Sequence, residues 1–328
     1  MYKRQVLPYP RRDGRAVQLV RWLSSRRPRR LVGGEWPKAV PGILDRVDPA
    51  PDLVWWSHTD AWVAMRDHVE GTAILDFDNI ESARIAHRRS TRPSVRAEGG
   101  LGAALDRLRA VVSRAIDRVD ERRWQLLEGR AQSDTYATVV CSRLDLDRIG
   151  RTSTHVIPNG YEPPFERTDP RPVDADHPTL LFVGLLTYEA NTDGLEWFVT
   201  EVLPLVRTRR PGVAVRVVGR IPDALAKRLA GPHVEVLGEV ADLEPELRRA
   251  DVAIVPLRIG GGTRLKVIEA FATGIPVVST SVGAEGLGVE PGHDLLIGDD
   301  PRSFAAACCD VIEDDRLRAE LVRSGHAH

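Results

Sequence analysis

From residue 179 to the end of the chain, short apolar segments alternate with segments of helical periodicity. The apolar segments show no polar alternation, which is typical of strands buried on both faces. Because such strands alternate with helices, we expect a Rossmann-like α/β domain with a parallel sheet. The predicted strands are Leu180–Gly184, Val213–Gly219, Val234–Gly238, Val252–Leu257, Pro276–Thr280 and Leu295–Gly298. The predicted helices are Thr192–Arg209, Pro222–Ala230, Leu243–Ala250, Thr263–Thr273 and Arg302–Arg323.

The first half of the chain carries a less regular form of the same pattern. A chain of 328 residues is expected to form two domains. Residues 162–178 are dense in Pro, Asp and Arg, a linker composition, so we predict domains over 1–165 and 166–328. In the first domain we predict strands over Leu53–Ser57, Ala73–Phe77 and Thr138–Ser142, a helix over Thr59–His68, and further helices within 80–130.

The charge distribution limits the classes of partner. The net charge of −1 argues against a nucleic-acid-binding protein. Residues 1–50, however, hold twelve Lys and Arg against four Asp and Glu. This basic region is interpreted either as a solvated surface or as a patch that contacts anionic lipid headgroups or an anionic acceptor.

The cysteine content and the lack of long apolar segments indicate where in the cell the protein is located. The three cysteines have no zinc-site spacing and are typical of a reducing environment. No apolar run approaches the ~20 residues that a membrane span needs, and no signal-peptide pattern is visible. We therefore expect a cytoplasmic protein, at the inner face of the membrane if the basic region contacts lipid.

A glycine-rich turn at 260–262 is the strongest indication of a ligand. Gly260, Gly261 and Gly262 follow a predicted strand and lead through Thr263 into a predicted helix. Without side chains the backbone can approach a phosphate closely, and a helix N-terminus favours an anion. The alternative is a tight turn with no ligand. The P-loop and G-x-G-x-x-G spacings are both absent, which argues against ATPases and dinucleotide dehydrogenases.

Charged side chains on the following helix fit the same ligand. Arg264 and Lys266 can make charge-assisted contacts to a diphosphate. Glu269 lies three residues after Lys266 and so on the same face of the helix. Its carboxylate can accept hydrogen bonds from ribose hydroxyls or can form an ion pair with Lys266, and the residues alone favour neither. In the first domain, Asp76 and Asp78 end a predicted strand and are candidates either for contact with an acceptor hydroxyl or for helix capping.

The segment Arg258–Leu287 resembles the nucleotide-sugar motif of family-4 glycosyltransferases of the GT-B fold. The resemblance implies two Rossmann-like domains that face each other across a cleft, and a nucleoside-diphosphate sugar as donor. It also implies transfer to a glycan or lipid-linked acceptor hydroxyl with retention of configuration and without a metal or cofactor, in cell-envelope or exopolysaccharide synthesis. Further similar segments are Phe182–Gly184, Leu203-Pro204, Val217–Gly219, Leu237–Val240, Val156–Gly160, Asp76–Ser82 and Leu7–Gly14.

The resemblance implies a role for each matching position. Arg264 and Lys266 would act as the catalytic cations that neutralise the departing diphosphate, and Glu269 would bind the ribose. The N-terminal domain would bind the acceptor. The remaining substrate-binding positions implied are Gly260, Gly261, Gly262 and Thr263 at the diphosphate, Gly238, Glu239 and Val240 at the base, and Gly14 in a loop near the donor.

The sequence also departs from the family pattern. Gly261 stands where the first glutamate of the Glu-x7-Glu motif is expected, and Phe77 stands where many members have a histidine. The GGGTRLKVIEA turn resembles that of a subgroup, and the family's first strand and last helices are mostly missing, as in a piece of a longer protein. Two alternatives therefore stay open: a sugar-nucleotide epimerase on the same fold, and a nucleotide-sugar-binding protein without catalysis.

Overall fold

The structure is a computed structural model that describes residues 15–32, 51–91, 101–150, 153–165, 169–174, 176–260 and 264–328. It divides into two compact units, Met1–Pro158 and Asn159–His328. The division falls earlier than the predicted boundary at residue 165. Residues 159–165 belong with the second unit because Tyr161 is hydrogen-bonded to Glu269 and the ring of Phe165 lies 3.9 Å from the Arg248 guanidinium.

The N-terminal unit is built on a four-stranded sheet in the order β1-β2-β3-β4, and each pair of neighbours is parallel. Its core contains Trp56, Trp62, Leu75 and Phe77, which are apolar residues of the predicted strands and helix. The strands are β1 (Leu53–Ser57), β2 (Thr72–Asp76), β3 (Ala137–Val140) and β4 (Thr154–Val156). The helices are α1 (Arg15–Ser24), α2 (Thr59–Met65), α3 (Glu81–Thr91), α4 (Leu101–Asp134) and α5 (Arg143–Ile149), with 3-10 turns at Arg29–Leu31 and Arg66–His68.

The C-terminal unit is a six-stranded sheet in the order β10-β9-β8-β5-β6-β7, again with parallel neighbours. The strands are β5 (Thr179–Val183), β6 (Ala214–Val218), β7 (Val234–Gly238), β8 (Val252–Val255), β9 (Val277–Ser279) and β10 (Leu296–Ile297). The helices are α6 (Glu189–Trp197), α7 (Leu203–Arg209), α8 (Asp223–Leu229), α9 (Glu244–Arg249), α10 (Leu265–Ala272), α11 (Ser281–Ala284), α12 (Pro301–Glu313) and α13 (Asp315–Ala327). The predicted α/β fold class with two parallel sheets is therefore confirmed.

Two helices predicted as continuous are interrupted. The segment Thr192–Arg209 forms α6 and α7 joined by a π-helical turn over Phe198–Val202. The interruption lies beside Pro204, which has no N–H to continue the helical ladder. The segment Arg302–Arg323 forms α12 and α13, because the Asp314 side chain accepts backbone N–H groups of the next turn and so caps a new helix.

The order of the second sheet locates its ligand-binding position. The chain runs outward from β5 through β6 to β7, and then returns to the other side of β5 with β8. Strands β5 and β8 are therefore adjacent while their connections leave in opposite directions. In open α/β sheets, ligands bind outside the carboxyl ends of strands at such a switch point.

None of the helices that the structure describes is both long enough and apolar enough to cross a membrane.

Candidate functional site

The carboxyl ends of β5 and β8 bring together the residues of the candidate site. Gly184 follows β5, and Gly260 follows β8 shortly before α10 begins at Leu265. A Cβ on Gly184 would lie 2.9 Å from both the Asn191 Nδ2 and the Lys266 Nζ. The absence of a side chain at this position therefore leaves the space into which Asn191 and Lys266 project.

Lys266 lies in the first turn of α10 with its ammonium group directed into the protein. The Nζ atom donates to the Asn191 Oδ1 at 2.8 Å and lies 4.5 Å from the centroid of the Phe182 ring. Burial lowers the pKa of Lys266 to about 7, the charge of Glu269 opposes this change, and the charge of Arg264 adds to it. An ammonium group that has lost most of its hydration is strongly stabilised in its charged form by an anionic ligand.

Arg264 is a second cation next to Lys266. Its residue is 6% exposed, and its Nη2 lies 3.5 Å from the Glu285 Oε2. A Cβ on Gly260 would lie 2.2 Å from that Nη2, so the guanidinium occupies the space above the glycine backbone. Gly260 therefore has a steric role here, which is to make room for the Arg264 side chain.

Glu269 lies one turn after Lys266 on α10 and accepts a hydrogen bond from the hydroxyl of Tyr161. Burial raises the pKa of Glu269, whereas this hydrogen bond and the charge of Lys266 oppose the rise. Burial and the nearby carboxylate raise the pKa of Tyr161 to about 12. Among the described contacts, Lys266 pairs with Asn191 and Glu269 with Tyr161, rather than directly with each other.

Tyr161 was not identified from the sequence. It follows Pro158-Asn159-Gly160, but no pattern there indicates that the ring contacts α10. Asn191 was not assigned a role from the sequence either. Its side chain also donates to the Leu185 carbonyl at 2.9 Å, which fixes the amide between β5 and Lys266.

Replacing Tyr161 with Phe tests the contribution of this hydrogen bond to stability. We expect Tyr161→Phe to lower the free energy of unfolding by about 1–2 kcal/mol, because the half-buried Glu269 carboxylate loses a donor. Urea denaturation of Tyr161→Phe, Glu269→Ala and the double variant measures the coupling between the two residues. The exposed Tyr136 supplies the control Tyr136→Phe, and strictly additive effects of the first pair would contradict the expectation.

The residues expected at the base lie at the carboxyl end of β7. Gly238 adopts a positive φ of 72°, and its carbonyl accepts the Gly219 N–H at 2.8 Å. Glu239 is exposed and forms an ion pair with Arg220 at 3.2 Å, which lowers the pKa of Glu239. Val240, which follows, packs against the apolar cluster that includes Val267 of α10. These residues are on the β6–β7 side of the switch point.

Four predicted positions lie outside the described residues: Gly14, Gly261, Gly262 and Thr263.

Arg258 and Asp193 form a further ion pair next to the switch point. The Arg258 side chain donates two hydrogen bonds to the Asp193 carboxylate at 2.7 and 3.0 Å. Its guanidinium also lies 5.6 Å from the centroid of the Trp197 ring. The arginine therefore ties the segment after β8 to α6, the helix that follows β5.

Strand ends of the N-terminal unit hold two residues in unusual backbone conformations. His58 and Asp78 have φ values of 71° and 44°, and their side chains lie 3.6 Å apart. Non-glycine residues in this region store strain and occur often at functional sites. Asp76 accepts the Asp78 N–H at 3.0 Å, so its carboxylate stabilises the turn between β2 and α3. This turn contact differs from the helix capping that was predicted as the alternative for Asp76, since α3 begins only at Glu81.

Comparison with known proteins finds similarity mainly in the C-terminal unit. Residues 177–314 match the family model described as Glycosyl transferases group 1. Over 151 residues the chain is 32% identical to the phosphatidyl-myo-inositol mannosyltransferase of Mycolicibacterium smegmatis, which covers 44% of this chain and 38% of that protein. The chain spans only 36–48% of the length of three curated relatives that it matches.

Solved structures share the fold over most of the chain. The sucrose-phosphate synthase of Thermosynechococcus elongatus has a TM-score of 0.63 at 18% identity, covering 88% of this chain and 73% of that one. HepE of Anabaena, solved in complex with UDP and glucose, has a TM-score of 0.56 at 17% identity, covering 84% of this chain and 72% of that one. The chain thus has the fold of GT-B glycosyltransferases, and its residues 177–314 match the glycosyl transferases group 1.

Proposed function

We propose that this protein transfers a sugar from a nucleoside-diphosphate sugar to a hydroxyl group of a glycan or lipid-linked acceptor. The observation that carries the proposal is the buried ammonium of Lys266 at the switch point of the sheet, beside Arg264 and one turn from Glu269. A diphosphate at this position would place its negative charge next to both cations. The family match over residues 177–314 and the UDP and glucose complex of HepE support the same ligand class.

The chemistry requires stabilisation of a leaving group. The bond between the anomeric carbon and the diphosphate oxygen breaks, and a bond to the acceptor oxygen forms. Negative charge grows on the departing diphosphate, and we assign its neutralisation to Lys266 and Arg264. The acceptor hydroxyl passes its proton to the departing diphosphate oxygen as the new bond forms. Because these two side chains supply the positive charge, we propose transfer without a metal. We also propose retention at the anomeric carbon, as the family resemblance implies.

We assign the nucleoside ribose to Glu269. The carboxylate already accepts one hydrogen bond from Tyr161, and a carboxylate has further acceptor positions for ribose hydroxyls. The base is assigned to Gly238, Glu239 and Val240 at the end of β7, and the acceptor to the N-terminal unit. The mannosyltransferase relative is named for phosphatidyl-myo-inositol, a lipid, which supports a lipid-linked acceptor. We also propose a location at the cytoplasmic face of a membrane.

Glu269→Ala tests the ribose assignment. We expect nucleoside diphosphate binding to weaken by about 1–3 kcal/mol, as for the loss of a partly buried hydrogen bond to a charged group. Calorimetry with the ribonucleotide and its 2′-deoxy and 3′-deoxy analogues measures how much of that loss depends on the ribose hydroxyls. Glu320→Ala, at an exposed position of α13, is the control. Equal losses for the ribonucleotide and both deoxy analogues would contradict the assignment.

Product analysis with a labelled donor tests the function itself. A thermal-shift screen of UDP, GDP, ADP and their sugars first finds the nucleotide, because a bound ligand stabilises the folded state. The donor is then incubated with lipid extracts and oligosaccharides, and the label is followed. Label in an acceptor product supports transfer. An interconverted nucleotide sugar indicates an epimerase, and tight binding without turnover indicates a binding protein; either result rejects the proposal.

A further inference from the structure

The long helix α4 exposes an apolar stripe. Five aliphatic side chains between residues 108 and 126 are 45–70% exposed, and steps of three, four and seven residues place them on one face of the helix. Exposure of scattered single aliphatic residues is ordinary, but a continuous row along one helix is not. The members are Leu108, Val111, Val112, Val119 and Leu126.

Arginines lie along one edge of this stripe, whereas the acidic side chains of α4 between residues 107 and 130 are buried or partly buried. Arg107, Arg118 and Arg122 are exposed along one edge of the stripe. From residue 107 to residue 130, no carboxylate is among the exposed side chains. The buried carboxylates have partners in other segments. Asp117 pairs with Arg88 at 2.7 Å, Asp120 accepts the Trp22 Nε1–H at 3.2 Å, and Glu128 accepts the Ser82 N–H at 3.1 Å.

The sequence-predicted basic region is attached to the same helix. The Arg29 N–H donates to Asp120 at 2.6 Å, and the Arg123 guanidinium donates to the Arg27 carbonyl at 3.1 Å. Arg30, in contrast, forms ion pairs with Glu81 and Asp60. The charge of Arg30 is therefore neutralised within the protein, and the basic region lies against α4.

We propose that this face of α4 lies on an anionic lipid surface. Burial of aliphatic side chains at the boundary between headgroups and acyl chains is favourable, and arginines next to them can contact the lipid phosphates. Charge complementarity selects this occupant. A second copy of the same face would bring like-charged guanidinium groups together, and a nucleic acid would leave the aliphatic row uncovered. The inference goes beyond the proposed sugar transfer and does not depend on it.

Vesicle sedimentation without donor or acceptor tests this surface. The full chain is mixed with vesicles of phosphatidylglycerol and phosphatidylcholine, or of phosphatidylcholine alone. We expect binding only to the anionic vesicles, and weaker binding at high salt. Val119→Asp/Leu126→Asp and Arg118→Ala/Arg122→Ala should each lower the partition coefficient at least tenfold. The matched control is Leu205→Asp/Arg207→Ala at exposed positions of α7, which should bind like the unmodified protein.

Three outcomes would overturn the inference. They are equal binding to neutral vesicles, unchanged binding of both α4 variants, and loss of a dimer in Val119→Asp/Leu126→Asp by analytical ultracentrifugation, which would make the stripe an interface between copies. Because every substituted side chain is exposed, circular dichroism should show unchanged folding in all variants. Nucleotide affinity is measured in parallel, so a failure of the sugar-transfer proposal is seen separately.

Discussion

Replacement of Lys266 with Met should stabilise the protein while weakening its binding of nucleoside diphosphates. We expect the free energy of unfolding to rise by about 1–3 kcal/mol, because an aliphatic side chain of similar length replaces a buried cation. Binding should weaken by about 1.5–3 kcal/mol, the range for a hydrogen bond to a charged group. Urea denaturation and calorimetry at pH 7 measure the two quantities. An opposite sign of the two effects is the signature of a charge that is held for a ligand.

The pH dependence of the stability difference provides a second check. Between pH 7 and the ordinary lysine pKa of 10.5, the unfolded state binds a proton at Lys266 that the folded state lacks. The stability of the unmodified protein should therefore rise relative to Lys266→Met across this window. The difference should be largest below pH 7 and vanish above the unfolded pKa. Lys227→Met, at an exposed position of α8, is the control, and a destabilised Lys266→Met would contradict the expectation.

Binding of the nucleotide sugar should take up a proton at Lys266. The free protein holds this amine with a pKa of about 7, and an adjacent diphosphate favours the charged form. Above pH 7 the affinity should therefore fall, with a limiting slope of about tenfold per pH unit for one linked proton. Calorimetry between pH 6 and 9 in buffers of different ionisation enthalpy measures both the affinity and the number of protons taken up.

Lys266→Arg separates this titration from that of Glu269, whose pKa is also shifted. A guanidinium stays charged throughout the range, so the variant should lose the pH dependence attributed to Lys266. If the affinity of Lys266→Arg kept the full pH dependence, the titrating group would be a residue other than Lys266. Glu269 would then be the next candidate. If the affinity of the unmodified protein did not change with pH, Lys266 would already be charged before the ligand binds.

The strands could be predicted from the sequence because they are buried on both faces. The segment Leu180–Gly184 corresponds to β5, and Val252–Leu257 to β8, which ends earlier in the structure. Helix ends were harder to predict, since a cap such as Asp314 depends on one side chain that turns back to the backbone. Apolar periodicity continues across such a cap, and it therefore predicts one helix where two are formed.

The candidate site was only half predictable. Lys266 and Glu269 share a face of α10 because residues three apart on a helix are neighbours, which spacing alone indicates. Their partners were not predictable. Asn191 reaches Lys266 because β5 and β8 are adjacent in the sheet, and Tyr161 reaches Glu269 because residues 159–165 pack on the C-terminal unit. Neither adjacency leaves a periodic signal in the sequence.

The sequence alone determined the α/β class, the alternation of strands and helices, and the cations and carboxylate on and just before α10, since each depends on local periodicity and residue type. The tertiary structure decided the pKa of Lys266 and which side chains of α4 are exposed. Lys266 has a pKa of about 7 because strand order buries its ammonium against Phe182. Between residues 107 and 130 of α4 the exposed charged side chains are arginines, because packing buries or partly buries the carboxylates there. Burial depends on contacts between residues distant in the chain, so residue type alone cannot predict it.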